Sequence, residues 1–135
     1  MRKSASRIDD RRVKLSTLWI VVLFNMIFAD IVGFMNPGVL AGIMTGDTGI
    51  KVTEELLLVF SILLEIPILM VFMSRVLSDN INRWANIIAS LITIVFVTGA
   101  GSTYLSYFFF GSIEVLCMVL VIWYAWKWPK PERYE

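Results

Sequence analysis

The sequence predicts an all-α membrane protein: four transmembrane helices in an up-down-up-down bundle, with N and C termini cytoplasmic. Three observations carry that reading. Of 135 residues, 58% are hydrophobic and only 17% charged, whereas a soluble domain is roughly half apolar and a quarter charged. The charges leave four long apolar runs, and each reaches the roughly 20 residues a helix needs to cross about 30 Å of hydrocarbon. None of these runs alternates with the period of a barrel strand, and a backbone in lipid must satisfy its own hydrogen bonds, so helices remain. Lastly, of 12 Lys and Arg, only Lys51 falls on one side of the spans and the other eleven on the opposite side. The positive-inside rule assigns the basic side to the cytoplasm.

Residues 1–14 form a basic tail, and the first span covers 15–35. Its apolar stretch exceeds the roughly 7–15 residues of a signal-peptide core, so it is read as a retained anchor. The outer connection, 36–52, opens on Asn36-Pro37-Gly38. Asn36 is expected as an N-cap and Pro37 at the first helical position. An amphipathic piece with Val39, Leu40, Ile43 and Met44 then lies on the outer surface and ends at Gly46-Asp47-Thr48-Gly49. It is either a plain connector or a lid over an outward-facing pocket. The second span, 53–77, starts with Thr53 as cap and Glu54 and Glu55 in the first turn, where the helix dipole favours carboxylates. A tight turn at Ser78-Asp79-Asn80 leads to the third span, 84–103, and an uncharged link leads to the fourth, 104–126. The transmembrane domain is thus 15–128, followed by a tail, 129–135. Short links make consecutive helices antiparallel neighbours. Trp19, Trp84, Trp123, Trp126 and Trp128 all fall near the cytoplasmic interface, where amphipathic rings anchor.

Several function classes fall away. Without histidine there is no His-ligated haem, mixed zinc site or His-based nucleophile couple. The single cysteine, Cys117, cannot form an internal disulfide and is expected to be an inert buried thiol. A net charge of +1 argues against nucleic acid as a partner. No catalytic residue, metal or cofactor is assigned.

The informative residues are the acids inside the spans: Asp30, Glu65 and Glu114. An acid at a helix centre costs about 2.5–3.5 kcal/mol on insertion scales, so each implies compensation or use. At about 1.5 Å per residue, Asp30 lies about 8 Å from the outer end of its span, Glu114 about 13–15 Å and Glu65 about 18 Å. Coming from three helices, they are expected to face one outward-opening cavity. Glu65 and Glu114 form the expected binding or protonation pair, with Asp30 near the entrance. No basic residue lies at that depth. A carboxyl removed from water without a cation favours its neutral form, and two close together share a proton. Ser61, Pro67, Asn86, Thr93 and Tyr107 are the expected supporting residues. Pro67, two residues past Glu65, removes a backbone hydrogen bond and frees a carbonyl beside the acid. Asn82, Asn86, Ala89, Thr93, Val97 and Ala100 form a polar and small stripe that must face the bundle or another subunit. Gly111, Glu114, Met118, Val121 and Ala125 share one face of the fourth span. The competing reading of the acids is interhelical glue, with each carboxyl bonded to a neighbouring helix.

The runs LSTLWI, FADIVG, NPGVL, EIPILMV, NRWANI and WYAWKW resemble an uncharacterised bacterial family of small four-helix integral membrane proteins, broadly DoxX-like in size and topology. The resemblance covers nearly the whole chain; it implies the architecture and no reaction. Small multidrug exporters share the size and helix number, but they use a glutamate in the first helix. This first helix instead carries Asp30 in its outer third, so their residues do not transfer. The glycine-rich and Asn/Phe features of fluoride channels are missing.

The function expected is binding or transport of a cation or a proton-linked small molecule through an acidic intramembrane cavity. The alternatives are a non-transporting accessory subunit and a membrane enzyme acting on a lipid. The expected partners are the lipid bilayer of a bacterial plasma (inner) membrane, a small cationic ligand, and a second copy in a homodimer or other oligomer.

Overall fold

The computed structural model describes residues 2–129. Among them are five helices and no strand: α1 (Arg2–Phe34), α2 (Val39–Thr45), α3 (Glu54–Val76), α4 (Asp79–Gly99) and α5 (Leu105–Trp126). Lys130 and Arg133, two of the eleven cations on the basic side of the spans, lie outside the described residues. Four of the helices, α1, α3, α4 and α5, are long and apolar enough to cross a membrane. The all-helical, four-span architecture is therefore the observed one.

The helix boundaries differ from the sequence expectation where polar residues blur them. α1 has 33 residues, roughly 50 Å at helical rise, well beyond a bilayer core of about 30 Å. The basic segment expected as a tail is the start of this same helix. No glycine or proline interrupts it before Gly33, and the Lys14–Asp10 pair, 2.9 Å apart, supports it one turn along. Asn36 closes α1 instead of opening α2: its backbone N–H (3.1 Å) and side-chain amide (3.0 Å) both donate to the Gly33 carbonyl. A helix end has unpaired carbonyls to satisfy, and Asn36 stands nearest to them. Pro37 consequently lies before α2, which begins only after Gly38 at φ 82° and ends on Gly46 at φ 76°. Thr53 caps α3 as its sequence pattern predicts, accepting from the Leu56 N–H at 3.2 Å. α4 starts five residues ahead of the expected Trp84, because Asn82 lies inside the protein and not at an interface.

The long helices form a ring of antiparallel neighbours, α1 between α3 and α5, and α4 closing the ring, more lightly against α3. The start of α1 and the end of α5 lie at one end of the bundle, here the terminal end. The α1–α3 and α4–α5 connections lie at the loop end. The terminal half is filled: Leu15, Trp19, Val22, Met118, Val121 and Ala125 are all at 0% exposure. Trp19 was expected to anchor at the interface. Instead it is interior, and its indole N–H donates across the bundle to Asn86 Oδ1 at 2.8 Å. Ser74 donates to the same oxygen at 3.1 Å, while the Asn86 amide donates to Asn82 Oδ1 at 2.6 Å. Asn82 in turn donates to the Ser74 carbonyl at 2.7 Å. These buried amides tie α1, α3 and α4 together where lipid supplies no partner. Outside this knot, Arg12 donates to the carbonyls of Arg75 (3.0 Å) and Leu77 (2.6 Å) and to Asp79 (2.7 Å). It thereby satisfies the end of α3 and grips the start of α4.

Candidate functional site

The half of the bundle towards the loop end is not filled. All four long helices border a cavity of about 340 Å³ there. Three of its lining residues are polar: Asp30 from α1, and Tyr107 and Glu114 from α5. Glu114 lies nine residues into α5, about 14 Å down at helical rise, and is 3% exposed. Gly111, one turn nearer the loop end on the same face, lacks a side chain and opens the space above the carboxyl. A Cβ there would meet nothing closer than Val97 Cγ1 at 3.8 Å. Asp30, one turn from the end of α1, is exposed at the mouth of the same cavity. The Tyr107 hydroxyl donates to the Val97 carbonyl at 3.3 Å, fixing α5 to α4 and holding the phenol oxygen on the wall. No cationic side chain lines the cavity, and no described residue hydrogen-bonds to the Glu114 carboxyl. An acid this buried, with no cation beside it, faces a cavity through which a partner can come to it.

The rest of the wall is apolar. Phe60 of α3 and Phe96 of α4 meet edge to face, with ring centroids 5.8 Å apart. Met26, Ala29 and Leu64 continue the apolar surface, and Ile50, from the connection ahead of α3, joins it at the mouth. Among the described residues there is no group of three His, Cys, Asp or Glu side chains able to hold a metal ion. Two carboxyls, a phenol and two aromatic rings suit a cation that carries its own apolar body.

The structure brings together only part of the constellation expected from sequence. Asp30, Glu114 and Tyr107 meet. Glu65 does not join them: its side chain is exposed on the outer face of α3, so the expected Glu65–Glu114 pair is not formed. The reason is helical phase. The inward residues of α3 are Pro67, Met70 and Ser74, and at about 100° per residue Glu65 points nearly opposite to them. Ser61 lies on the same outer face and donates to its own helix, to the Leu57 carbonyl at 2.8 Å. Pro67 is fully buried, packed as core and away from the cavity wall. Asn86 belongs to the amide knot of the terminal half, one level below the cavity. Thr93 is buried in the interior, 3% exposed, and does not line the cavity. Asn25 donates to its own helix, to the Val21 carbonyl at 2.8 Å, leaving Asp30 as the cavity-facing polar group of α1. The residues that sequence reasoning missed are Phe60 and Phe96. An aromatic in an apolar span gives no periodic or chemical signal that separates a cavity wall from a lipid face.

Fold and site together define a class: a small bundle of four membrane-length helices, solid at one end and enclosing an acidic cavity at the other. Within that class the chain belongs to a family of unknown function, DUF6326, whose model matches residues 4–134. Nothing among curated proteins or solved structures matches the chain.

Proposed function

We propose that the protein is an integral protein of a bacterial plasma membrane, both termini cytoplasmic, that binds an organic cation in this cavity and exchanges it with protons. The observation that carries the reading is Glu114: a carboxyl almost wholly enclosed at mid-membrane depth, without a cationic partner, facing a cavity it shares with Asp30. The Phe60–Phe96 pair and the aliphatic wall favour a cation with an apolar body, such as a protonated or quaternary amine. Under the positive-inside rule the cavity opens outward. Proton and cation compete for one carboxylate, so affinity rises with pH and a bound cation leaves when the carboxyl is protonated.

The test is titration of the purified protein with benzyltrimethylammonium, followed by calorimetry at pH 5.5 and 8. Saturable binding is expected, stronger at pH 8. Glu114→Gln is expected to weaken it at least tenfold, about 1.4 kcal/mol. Asp30→Asn, at the mouth, should cost less and act through the rate of association. Equal binding by wild type and Glu114→Gln would refute this role for the cavity.

A further inference from the structure

Glu65 has no place in the cavity, and its position calls for a different partner. It is the twelfth of the 23 residues of α3, so about 16 Å of helix separates it from either end. A glutamate side chain cannot reach a headgroup layer across that distance. The exposed residues of α3 include Leu58, Ile62, Leu69 and Phe72. At about 100° per residue all four lie within about 60° of Glu65. Glu65 therefore marks the middle of the face that points straight away from the bundle, one acid in an otherwise apolar surface. The outer faces of α1 and α5 at this level, carrying Phe24, Phe28 and Leu116, need nothing but lipid. Among the described residues no hydrogen bond reaches the Glu65 carboxyl.

The geometry points to a two-fold dimer in the membrane, with the α3 faces of two copies packed together and the two Glu65 carboxyls meeting at the axis. A second copy is the occupant that fits the chemistry. No cation of this chain lies near that depth, so self-association has no salt bridge to offer. A protonated carboxyl, however, both donates and accepts, and is thus its own complement. All copies insert the same way round, since one charge asymmetry directs each of them. The two-fold axis then runs along the membrane normal and sets residue 65 opposite residue 65 at equal depth. A single central polar residue on an apolar helix face also sets the register of the pair. This inference does not rest on the cavity's function, because the α3 residues that line the cavity, Phe60 and Leu64, lie about 140° and 100° around the helix from Glu65.

Single-molecule subunit counting of the full chain in lipid vesicles tests it. Wild type is expected to be dimeric at dilutions where Glu65→Leu, a change that lipid tolerates, is monomeric, with at least a tenfold rise in dissociation constant. Glu65→Gln, whose amide still donates and accepts, should stay within about threefold of wild type. In a Cys117→Ser background, single cysteines replacing Ile62 or Leu69 should cross-link between copies, and one replacing Leu116 on α5 should not. A monomeric wild type, an unchanged dimer in Glu65→Leu, or cross-linking confined to position 116 would each overturn the proposal.

Discussion

Arg12 shows how much one side chain can hold in this fold. Read from sequence it is one basic residue among several that orient the chain. In the structure its guanidinium serves two carbonyls at the end of α3 and the carboxylate of Asp79 at the start of α4. Its side chain is only 17% exposed, so the bonds are partly shielded from water and worth more than a surface pair. Arg12→Ala is expected to destabilise the protein by about 1–3 kcal/mol in a detergent unfolding titration. Asp79→Asn keeps the two carbonyl bonds and should cost less. Glu114 and Glu65 make the complementary point. The two acids occur at similar depths in similar apolar runs, and helical phase alone sends one into the bundle and the other outward.

At the level of the helices, polarity divides the bundle in two. α4 contributes Asn82 and Asn86, both at 0% exposure, to the amide knot that closes the terminal half. Asn86→Leu keeps the branched outline, though bulkier, and leaves the Trp19 indole N–H and the Ser74 hydroxyl without their acceptor. About 1–3 kcal/mol of stability should be lost, the low end reflecting the modest net worth of hydrogen bonds between helices in membranes. Thermal unfolding in detergent measures it, and Trp19→Phe, which removes one donor of the two, should fall between wild type and Asn86→Leu. α5 supplies the opposite device in Gly111, where a missing side chain keeps the loop half hollow. Gly111→Leu should fill the space above Glu114 and abolish benzyltrimethylammonium binding, while the unfolding midpoint stays within a few degrees of wild type. A binding constant unchanged by that substitution would place the ligand elsewhere.

For the whole molecule the governing feature is charge asymmetry across the spans. A fluorescent reporter fused at the C-terminus is expected to fold and emit, and an alkaline phosphatase fused there to be inactive, because the positive-inside rule assigns both ends to the cytoplasm. A cysteine-reactive, membrane-impermeant label applied to intact cells should modify a cysteine replacing Lys51 and spare one replacing Arg7. The reverse pattern would invert the bundle and turn the acidic cavity inward. A helix α1 of about 50 Å also predicts that its first turns stand clear of the membrane on the cytoplasmic side, open to proteolysis in inverted vesicles.

The sequence by itself determined the class of the protein, the number of its spans and their antiparallel order, because hydrophobic length and charge placement act residue by residue and need no tertiary information. It also marked Asp30, Glu65 and Glu114 as the costly residues, since the expense of an acid in hydrocarbon is local. Which of them meet was decided only by the tertiary structure. That outcome depends on the rotation of each helix about its own axis, which for α3 is set by Pro67, Met70 and Ser74 packing inward. The periodicity of α3 is too weak to announce this rotation, for in a membrane helix both the lipid face and the packed face are apolar. The amphipathic α4 was legible, and its stripe of small and polar residues does face the interior. The same limit explains Trp19: an indole near an interface reads as an anchor, until an amide on the opposite helix offers its N–H a buried acceptor.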